Sequence, residues 1–241
     1  MRNPQQSRAN KTPSVQPEYS DVPSKPYDWI IWDWNGTLLN DVWLCHWIAN
    51  QLAREQSLPE CALQEYRMMF EFPIIRFYER VGHQFKQKSF EALSHDFMRY
   101  YESRRQECAL HESVPVTLEK MQCHFKQAIL SAYPQNSLEK VVREKCIEPC
   151  FDVIQGHQDV YAGSKTNNAH HLLEQIQTTG DRCLLIGDTI HDYDVAQAIG
   201  AECLLLSHGH QHEHHLCKTN ARVVHSLASI PQIALAGEKT S

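Results

Sequence analysis

The sequence lacks the features that mark exported, membrane-spanning and nucleic-acid-binding proteins. Its 241 residues contain no uninterrupted apolar run approaching the roughly 18 residues of a membrane span. The net charge is −6 and no long basic run is present, so neither a membrane nor a nucleic-acid backbone is an expected partner. Residues 1–26 are polar, rich in proline and without the apolar segment of a secretory signal, which predicts a disordered N-terminal tail.

A disulfide framework is not expected either. The nine cysteines are odd in number, and none has C-x-x-C spacing. Reduced thiols in a reducing compartment fit this pattern, so a cytoplasmic location is predicted. Cys146 and Cys150 could ligate zinc, but no neighbouring residues complete a ligand set, and ordinary packing is the favoured interpretation.

Short apolar runs alternate with helical patterns along most of the chain. This alternation predicts an α/β fold, with a mostly parallel sheet covered by helices on both faces. The predicted helices carry apolar stripes with a spacing of three or four residues, such as the one from Ala169 to Ile176. The predicted strands are Trp29–Trp32, Ala128–Leu130, Val153–Ile154, Leu184–Ile186 and Leu204–Leu206.

One interval interrupts the alternation. From residue 42 to residue 111 we find helical patterning and no good strand candidate. The sequence therefore predicts an all-helical insertion after the first strand. The sheet domain is then formed by residues 27–41 and 112–235.

Acidic residues follow two of the predicted strands. Asp33 comes directly after the first strand, in the segment Asp33-Trp34-Asn35-Gly36-Thr37. Open parallel sheets bind ligands at the carboxyl ends of their strands, and the amides around a glycine turn can face an anion. A strand-ending Asx turn is the structural alternative for this segment.

The second acidic segment repeats the pattern. Gly187, Asp188 and Asp192 follow the apolar run Leu184–Ile186. Asp33, Asp188 and Asp192 would repel one another unless a cation lay among them, and Mg²⁺ prefers such oxygen ligands. A helix cap explains one of these carboxylates without explaining their pairing with the first strand.

Two further polar residues stand between these segments. Ser131 ends the run Ala128–Leu130, where its hydroxyl can donate a hydrogen bond to a phosphoryl oxygen. Lys165 precedes a helical stripe, a place where the helix dipole disfavours a cation. An anion in the site would explain Lys165, and a solvated surface lysine is the alternative.

Together these residues resemble the haloacid dehalogenase superfamily of phosphohydrolases, whose four motifs occur in this order. The likeness is greatest to the phosphoglycolate-phosphatase-like branch, and it covers nearly all of the chain after residue 27. It implies a Rossmann-like core and identifies the 42–111 insertion as a cap. It also implies Mg²⁺-dependent hydrolysis of a small phosphorylated substrate.

The resemblance implies a role for each matching residue. Asp33 corresponds to the nucleophile, which forms an aspartyl phosphate, and Lys165 to the cation that orients it. The implied metal ligands are Asp33, the backbone carbonyl of Asn35, Asp188 and, through water or as a second-shell partner, Asp192. The implied phosphate-binding residues are Gly36, Thr37, Ser131 and Lys165.

Asn35 departs from the family pattern. Most phosphatases of the family have a second Asp there, which protonates the leaving group and later activates water; an amide can do neither. Two alternative functions therefore stay open. One is a phosphonate-cleaving hydrolase, for which Lys86 and Lys88 are the cap lysines available to form a Schiff base. The other is a catalytically weak phosphometabolite-binding or interaction module.

Two polar clusters outside the motifs have competing interpretations. The histidine-rich segment His208–His215 matches no familiar zinc spacing, and a solvated loop is favoured over a metal site. In the cap, Arg76 and Arg80 are candidates for contacting a substrate anion. Their spacing fits equally a surface pair with Glu79 or Glu71. The oligomeric state is not apparent from the sequence.

Overall fold

The computed structural model describes residues 26–157 and 165–236. The tail predicted for residues 1–26 therefore lies outside the described residues, except for Pro26. Gly163 and Ser164, which precede Lys165, also lie outside them. No helix within the described ranges is long and apolar enough to cross a membrane.

A six-stranded parallel sheet forms the centre of the molecule. Its spatial order is β5-β4-β1-β6-β7-β8, and β2 and β3 form a separate antiparallel pair. The strands are β1 (Trp29–Trp32), β2 (Leu39–Asn40), β3 (Ala109–Leu110), β4 (Lys126–Pro134), β5 (Val153–His157), β6 (Cys183–Gly187), β7 (Glu202–Leu206) and β8 (Arg222–Val224). All five predicted strands are confirmed, and β8 is additional.

The strand order reverses direction between β1 and β6. From β1 the chain adds β4 and β5 on one side, then returns to place β6, β7 and β8 on the other. This is the doubly wound Rossmann order, in which ligands bind in the crevice outside the carboxyl ends of the strands at the reversal. The topology thus directs attention to the residues that follow β1 and β6.

Helices cover both faces of the sheet, so the predicted α/β class is confirmed. The strand period of two sends Ile30 and Trp32 to one face, and Trp29 and Ile31 to the other. The first face packs on α5, α6 and α10, and the second on α7 and α8. The helices are α1 (Val42–Glu55), α2 (Leu63–Met69), α3 (Ile74–Val81), α4 (Phe90–Arg104), α5 (Val114–Gln122), α6 (Gln135–Glu144), α7 (Lys165–Gln175), α8 (Ile190–Ile199), α9 (Glu213–Leu216) and α10 (Ile230–Ala236).

The inserted segment is built mainly from α1 to α4, which we call the cap. Its predicted all-helical character needs one correction, because β3 lies within residues 42–111 and pairs with β2. A two-residue strand is too short to show an alternating pattern, so sequence periodicity does not reveal it. The domain boundaries at 27–41, 42–111 and 112–235 stay predictions.

Candidate active site

Two acidic residues meet at the reversal of the sheet. β1 and β6 are parallel neighbours with Trp32 opposite Ile186, so Asp33 and Asp188 leave the same edge. The Asp33 backbone N–H extends the pairing by donating to the Ile186 carbonyl at 2.8 Å. The carboxylates of Asp33, Asp188 and Asp192 are all buried, and their oxygen atoms lie within 4.8 Å of one another.

Lys165 neutralises part of this negative charge. It stands at the start of the described part of α7, and its side chain is only 5% exposed. Its Nζ atom donates to Asp33 Oδ1, and to Asp192 Oδ1 at 2.5 Å. Burial alone would lower the pKa of Lys165, but Asp192 and Asp33 raise it above its ordinary value. The solvated-lysine alternative is therefore wrong for this residue.

Asp192 organises the start of α8. Its Oδ2 atom accepts the backbone N–H of Thr189 at 3.0 Å and the Thr189 hydroxyl at 2.7 Å, which completes a capping box. Burial raises the pKa of Asp192, but Lys165 and Thr189 outweigh it and leave that pKa below its usual value. Lys165 and Thr189 together engage both carboxylate oxygens of Asp192. The contact predicted between Asp192 and a metal would therefore be made through water, and it stays a prediction.

The donor set fits Mg²⁺. Asp188 receives hydrogen bonds from the Thr37 hydroxyl at 3.2 Å and from the His210 backbone N–H at 2.5 Å. Burial, with the nearby charges of Asp33 and Asp192, raises the pKa of Asp188 above its usual value. Lys165 balances only one of the three carboxylates, so a divalent cation held by Asp33 and Asp188 would relieve the remaining repulsion. The contact predicted for the Asn35 carbonyl stays a prediction.

Gly36 and Thr37 turn closely around Asp188. Gly36 has a φ of +78°, and a Cβ atom on it would lie 2.4 Å from Asp188 Oδ2. Only glycine therefore fits at this position. Thr37 is fully buried, and its hydroxyl donates a hydrogen bond to Asp188 Oδ1.

Ser131 reaches the site from the neighbouring strand β4. The register between β4 and β5 shifts after Leu130, at the point where Ser131 lines the cavity beside Asp33. Its Oγ atom accepts the Tyr133 backbone N–H at 3.1 Å. The hydroxyl hydrogen therefore stays available to donate to an anion.

Asn35 is held by a buried network that the sequence did not indicate. Its Nδ2 atom donates to Asp41 Oδ2 and to the Tyr101 hydroxyl, both at 2.7 Å. The Tyr101 hydroxyl in turn donates to Asp41 Oδ2 at 2.8 Å. Burial raises the pKa of Asp41, but hydrogen bonds from His210, Asn35 and Tyr101 outweigh it and lower that pKa. An ionised carboxylate only accepts, so the amide must turn its nitrogen to Asp41.

His210 joins this network from the histidine-rich segment. Its Nε2 atom lies 3.3 Å from Asp41 Oδ1, and its Nδ1 atom lies 3.0 Å from the Tyr66 hydroxyl. The ring is 5% exposed and stacks on Phe70. The solvated-loop interpretation is therefore wrong for His210. Its partners in the cap are more than a hundred residues away in sequence, so local spacing could not reveal them.

A cavity of about 330 Å³ opens from these polar groups towards the cap. Asp33, Asn35, Ser131, Lys165 and Asp188 lie at its polar end. The cap supplies mainly aromatic and aliphatic side chains to its wall: Phe70, Phe72, Ile74, Phe77, Tyr78, Phe97, Met98 and Tyr101.

Comparison with known protein families identifies the family to which this chain belongs. Residues 30–206 match the family model described as haloacid dehalogenase-like hydrolase, a span that includes both acidic strand ends. The chain belongs to this family. The resemblance inferred from the motifs is thus confirmed at the level of the family.

This chain aligns with several solved structures of similar fold over nearly the whole length of those structures. A haloacid dehalogenase-like hydrolase from Streptococcus pneumoniae is 18% identical, with a TM-score of 0.74 over 85% of this chain and 97% of that chain. A predicted phosphoglycolate phosphatase from Haemophilus somnus is 18% identical, with a TM-score of 0.72 over 87% and 99%. CbbY from Rhodobacter sphaeroides, in complex with phosphate, is 15% identical, with a TM-score of 0.67 over 87% and 99%. At these identities the likeness establishes the fold.

A curated relative matches over a shorter stretch. The tyrosine-protein kinase PtkA of Mycobacterium tuberculosis is 27% identical over 120 residues. The match covers 49% of this chain and 41% of the relative, so this chain spans less than half the length of that protein.

The cap arginines lie away from the cavity of this haloacid dehalogenase-like hydrolase. Arg76 and Arg80 are exposed and do not belong to its lining. Arg80 pairs with Glu71 at 2.6 Å, which is the surface alternative described above. A contact of Arg76 or Arg80 with a substrate anion stays a prediction.

Proposed function

We propose that this hydrolase is a Mg²⁺-dependent phosphatase that transfers the phosphoryl group of a small phosphorylated substrate to Asp33. The observation that supports this most is the convergence of Asp33, Asp188 and Lys165 at one sheet edge. Two proteins of similar fold agree with it, one a predicted phosphoglycolate phosphatase and the other, CbbY, in complex with phosphate.

Each side chain has a role that its position allows. Lys165 holds the Asp33 carboxylate in one orientation and offsets charge as the phosphoryl group approaches. The Ser131 hydroxyl would donate to a phosphoryl oxygen, as would the backbone N–H of Thr37. The Gly36 N–H already donates to Asp41 Oδ1 at 2.9 Å. Mg²⁺, when held by Asp33 and Asp188, would supply further charge compensation for an anionic substrate.

Asn35 limits the proton chemistry of this site. Its two amide hydrogens are bound by Asp41 and Tyr101, and an amide does not titrate in this pH range. It therefore cannot protonate a leaving group or deprotonate the water that would hydrolyse an aspartyl phosphate. Acid–base assistance of this kind is typically worth about 10²–10⁴-fold in rate.

The phosphonate-cleaving alternative receives little support from the cap lysines. Lys86 is exposed, and Lys88 pairs with Asp96. Neither belongs to the described lining of the cavity, where a Schiff base to a substrate would have to form. Trapping with borohydride and an aldehyde substrate should therefore leave the chain unlabelled.

The decisive experiment compares two aspartate-to-asparagine variants. With Mg²⁺ and an aryl phosphate, wild type should turn over and Asp33→Asn should lose at least about 10³-fold in rate, because the nucleophile is gone. Asp181→Asn, a matched change at an exposed position, should retain wild-type activity. Turnover that survives in Asp33→Asn would exclude Asp33 as the nucleophile, and no turnover in wild type would favour the binding-module alternative.

A further inference from the structure

The wall of the cavity that faces the carboxylates is aromatic. Phe70, Phe77, Tyr78, Phe97 and Tyr101 contribute to it from two cap helices, α3 and α4, and from the residue after α2. A cavity of about 150 Å³ suffices to bind benzene in a protein interior. The 330 Å³ available here therefore accommodates a ring together with a phosphoryl group.

The described lining of the cavity offers no free lysine or arginine to a second acidic group. Among these residues Lys165 is the sole lysine or arginine, and Asp33 and Asp192 bind it. The His210 ring is already paired with Asp41. A carboxylate on the substrate, as in phosphoglycolate, would lose its hydration here without gaining a partner.

The polar end of the cavity favours one kind of leaving group. Asn35 cannot protonate the leaving group, so a group that is stable as an anion departs most readily. A phenol has a pKa of about 10, as tyrosine shows, so its anion leaves readily. An alkyl alcohol gives a far more basic anion and depends on a proton that Asn35 does not supply.

From these two independent features we propose that the substrates are aryl phosphate monoesters, with the ring packed against the cap aromatics. The proposal rests on the phosphatase function proposed above. An Asp33 carboxylate oxygen forms a bond to phosphorus while the bond from phosphorus to the aryl oxygen breaks. The electron pair stays on that oxygen, and the phenolate takes its proton from solvent. Water then hydrolyses the aspartyl phosphate, releasing phosphate and restoring Asp33.

Four substrates separate ring recognition from leaving-group chemistry. They are phenyl phosphate, benzyl phosphate, cyclohexyl phosphate and 2-phosphoglycolate, each assayed with the full chain and Mg²⁺. Benzyl phosphate carries the ring but releases an alkoxide, so its KM should lie within about threefold of that of phenyl phosphate. In a single turnover, its rate of aspartyl-phosphate formation should be at least about 100-fold lower, because Asn35 cannot protonate the poorer leaving group. Cyclohexyl phosphate should react as slowly as benzyl phosphate. 2-Phosphoglycolate should react slowly and, in addition, bind poorly.

A wall variant tests where the ring lies. Phe97→Leu keeps an apolar side chain but removes the ring that stacks on Tyr101. It should raise KM for phenyl phosphate roughly five- to tenfold while leaving the inhibition constant of inorganic phosphate unchanged. Val116→Ala, at an exposed apolar position outside the cavity lining, is the matched control and should change neither.

The outcomes distinguish the two levels of the proposal. The aryl assignment would be overturned if benzyl or cyclohexyl phosphate formed the aspartyl phosphate as fast as phenyl phosphate does. It would also be overturned if 2-phosphoglycolate were preferred to all three. Either result would leave the phosphatase function standing. An unchanged KM in Phe97→Leu would equally contradict the placement of the ring. If no phosphate ester is hydrolysed in a manner that needs both Mg²⁺ and Asp33, the proposed function fails, and the aryl assignment fails with it.

Discussion

At the scale of single residues, the chemistry of this site depends on a pair of side chains six positions apart. Asn35 and Asp41 form one hydrogen-bonded unit, in which the amide donates and the carboxylate accepts. Tyr101 closes the unit from α4. A carboxylate at position 35 would meet the Asp41 carboxylate, so the amide is the residue type that this buried environment stabilises.

We expect Asn35→Asp to weaken the fold and to lower activity on every substrate. The new carboxylate would stand against Asp41 where the amide nitrogen now lies at 2.7 Å, and uncompensated buried charge typically costs about 3–5 kcal/mol. Urea unfolding together with steady-state rates on phenyl and benzyl phosphate would measure both effects.

The double variant Asn35→Asp with Asp41→Asn is the control, because it exchanges the two groups and restores one donor and one acceptor. It should recover most of the lost stability. A single Asn35→Asp variant that is as stable as wild type, with a large rate gain confined to benzyl phosphate, would contradict this account.

Asp188 should control the response to Mg²⁺. Its folded pKa is raised above its unfolded value of about 3.9, so its ionised form destabilises the metal-free protein. Metal-free stability should therefore fall as the pH rises from about 4 towards that raised pKa. At 100 times its dissociation constant, Mg²⁺ should stabilise wild type by about 2.7 kcal/mol.

Asp188→Asn removes the buried charge and keeps one oxygen to accept the His210 N–H, while the Thr37 hydroxyl can accept from the new amide nitrogen. At pH 8 without metal it should be more stable than wild type, and Mg²⁺ should add little to its stability. Unfolding by urea with and without Mg²⁺ gives both values, with Asp181→Asn as the exposed control. Equal Mg²⁺ stabilisation of wild type and Asp188→Asn would exclude Asp188 as a ligand.

At the scale of elements, the sequence predicted what local pattern controls. The apolar runs located β1, β4, β5, β6 and β7, and the two acidic strand ends identified Asp33 and Asp188 as neighbours before any coordinates. β8 escaped prediction because its three residues, Arg222–Val224, are too few to show an alternating pattern. Asp41, Tyr101 and His210 escaped it because their roles arise from contacts between distant segments.

The histidine-rich segment shows this dependence on distant contacts most clearly. His212 N donates to the Arg67 carbonyl at 3.1 Å, and Arg67 donates to the His208 carbonyl at 2.7 Å. Gln211 Nε2 donates to the Phe70 carbonyl at 3.0 Å. These bonds tie the segment after β7 to α2 and to the residue that follows it, so the segment is a junction between core and cap.

This junction should make stability depend on pH. Burial lowers the pKa of His208 from 6.5 to about 4, so the folded protein keeps this ring neutral while the unfolded chain protonates it. The stabilisation from the neutral ring is thus complete above about pH 6.5 and declines as the pH falls towards 4. Because the ring is partly exposed, solvent screens its charge. We therefore expect the free energy of unfolding to fall by roughly 1–2 kcal/mol between pH 7 and pH 4.5.

His208→Asn should lose that much less stability over the same interval, measured by urea unfolding at both pH values. His225→Asn, at a well-exposed histidine, serves as the control and should follow wild type. Parallel losses in wild type and His208→Asn would assign the pH dependence to other groups.

At the scale of the whole molecule, the sheet should be the most persistent part of the structure. β1 and β6 lie at its centre and pair on both sides, whereas β5 and β8 lie at its edges. Amide hydrogen exchange should therefore be slowest in β1 and β6 and faster in β8, because edge groups open without breaking the central ladder. Mass spectrometry of peptic fragments would resolve this order. Equal protection of β8 and β1 would show that the sheet opens as a single unit.

The β2–β3 pair has a consequence for how such a molecule changes over evolutionary time. Asn40 and Ala109 lie opposite each other in it, so the chain leaves for the cap and returns from it at adjacent points. The entropy of closing a loop grows only slowly with its length, and here both ends are already held together by the pair. An insertion at this point can therefore lengthen, shorten or be exchanged for another with little effect on the strand order behind it. The doubly wound core and the inserted cap can thus diversify as separate parts of one gene.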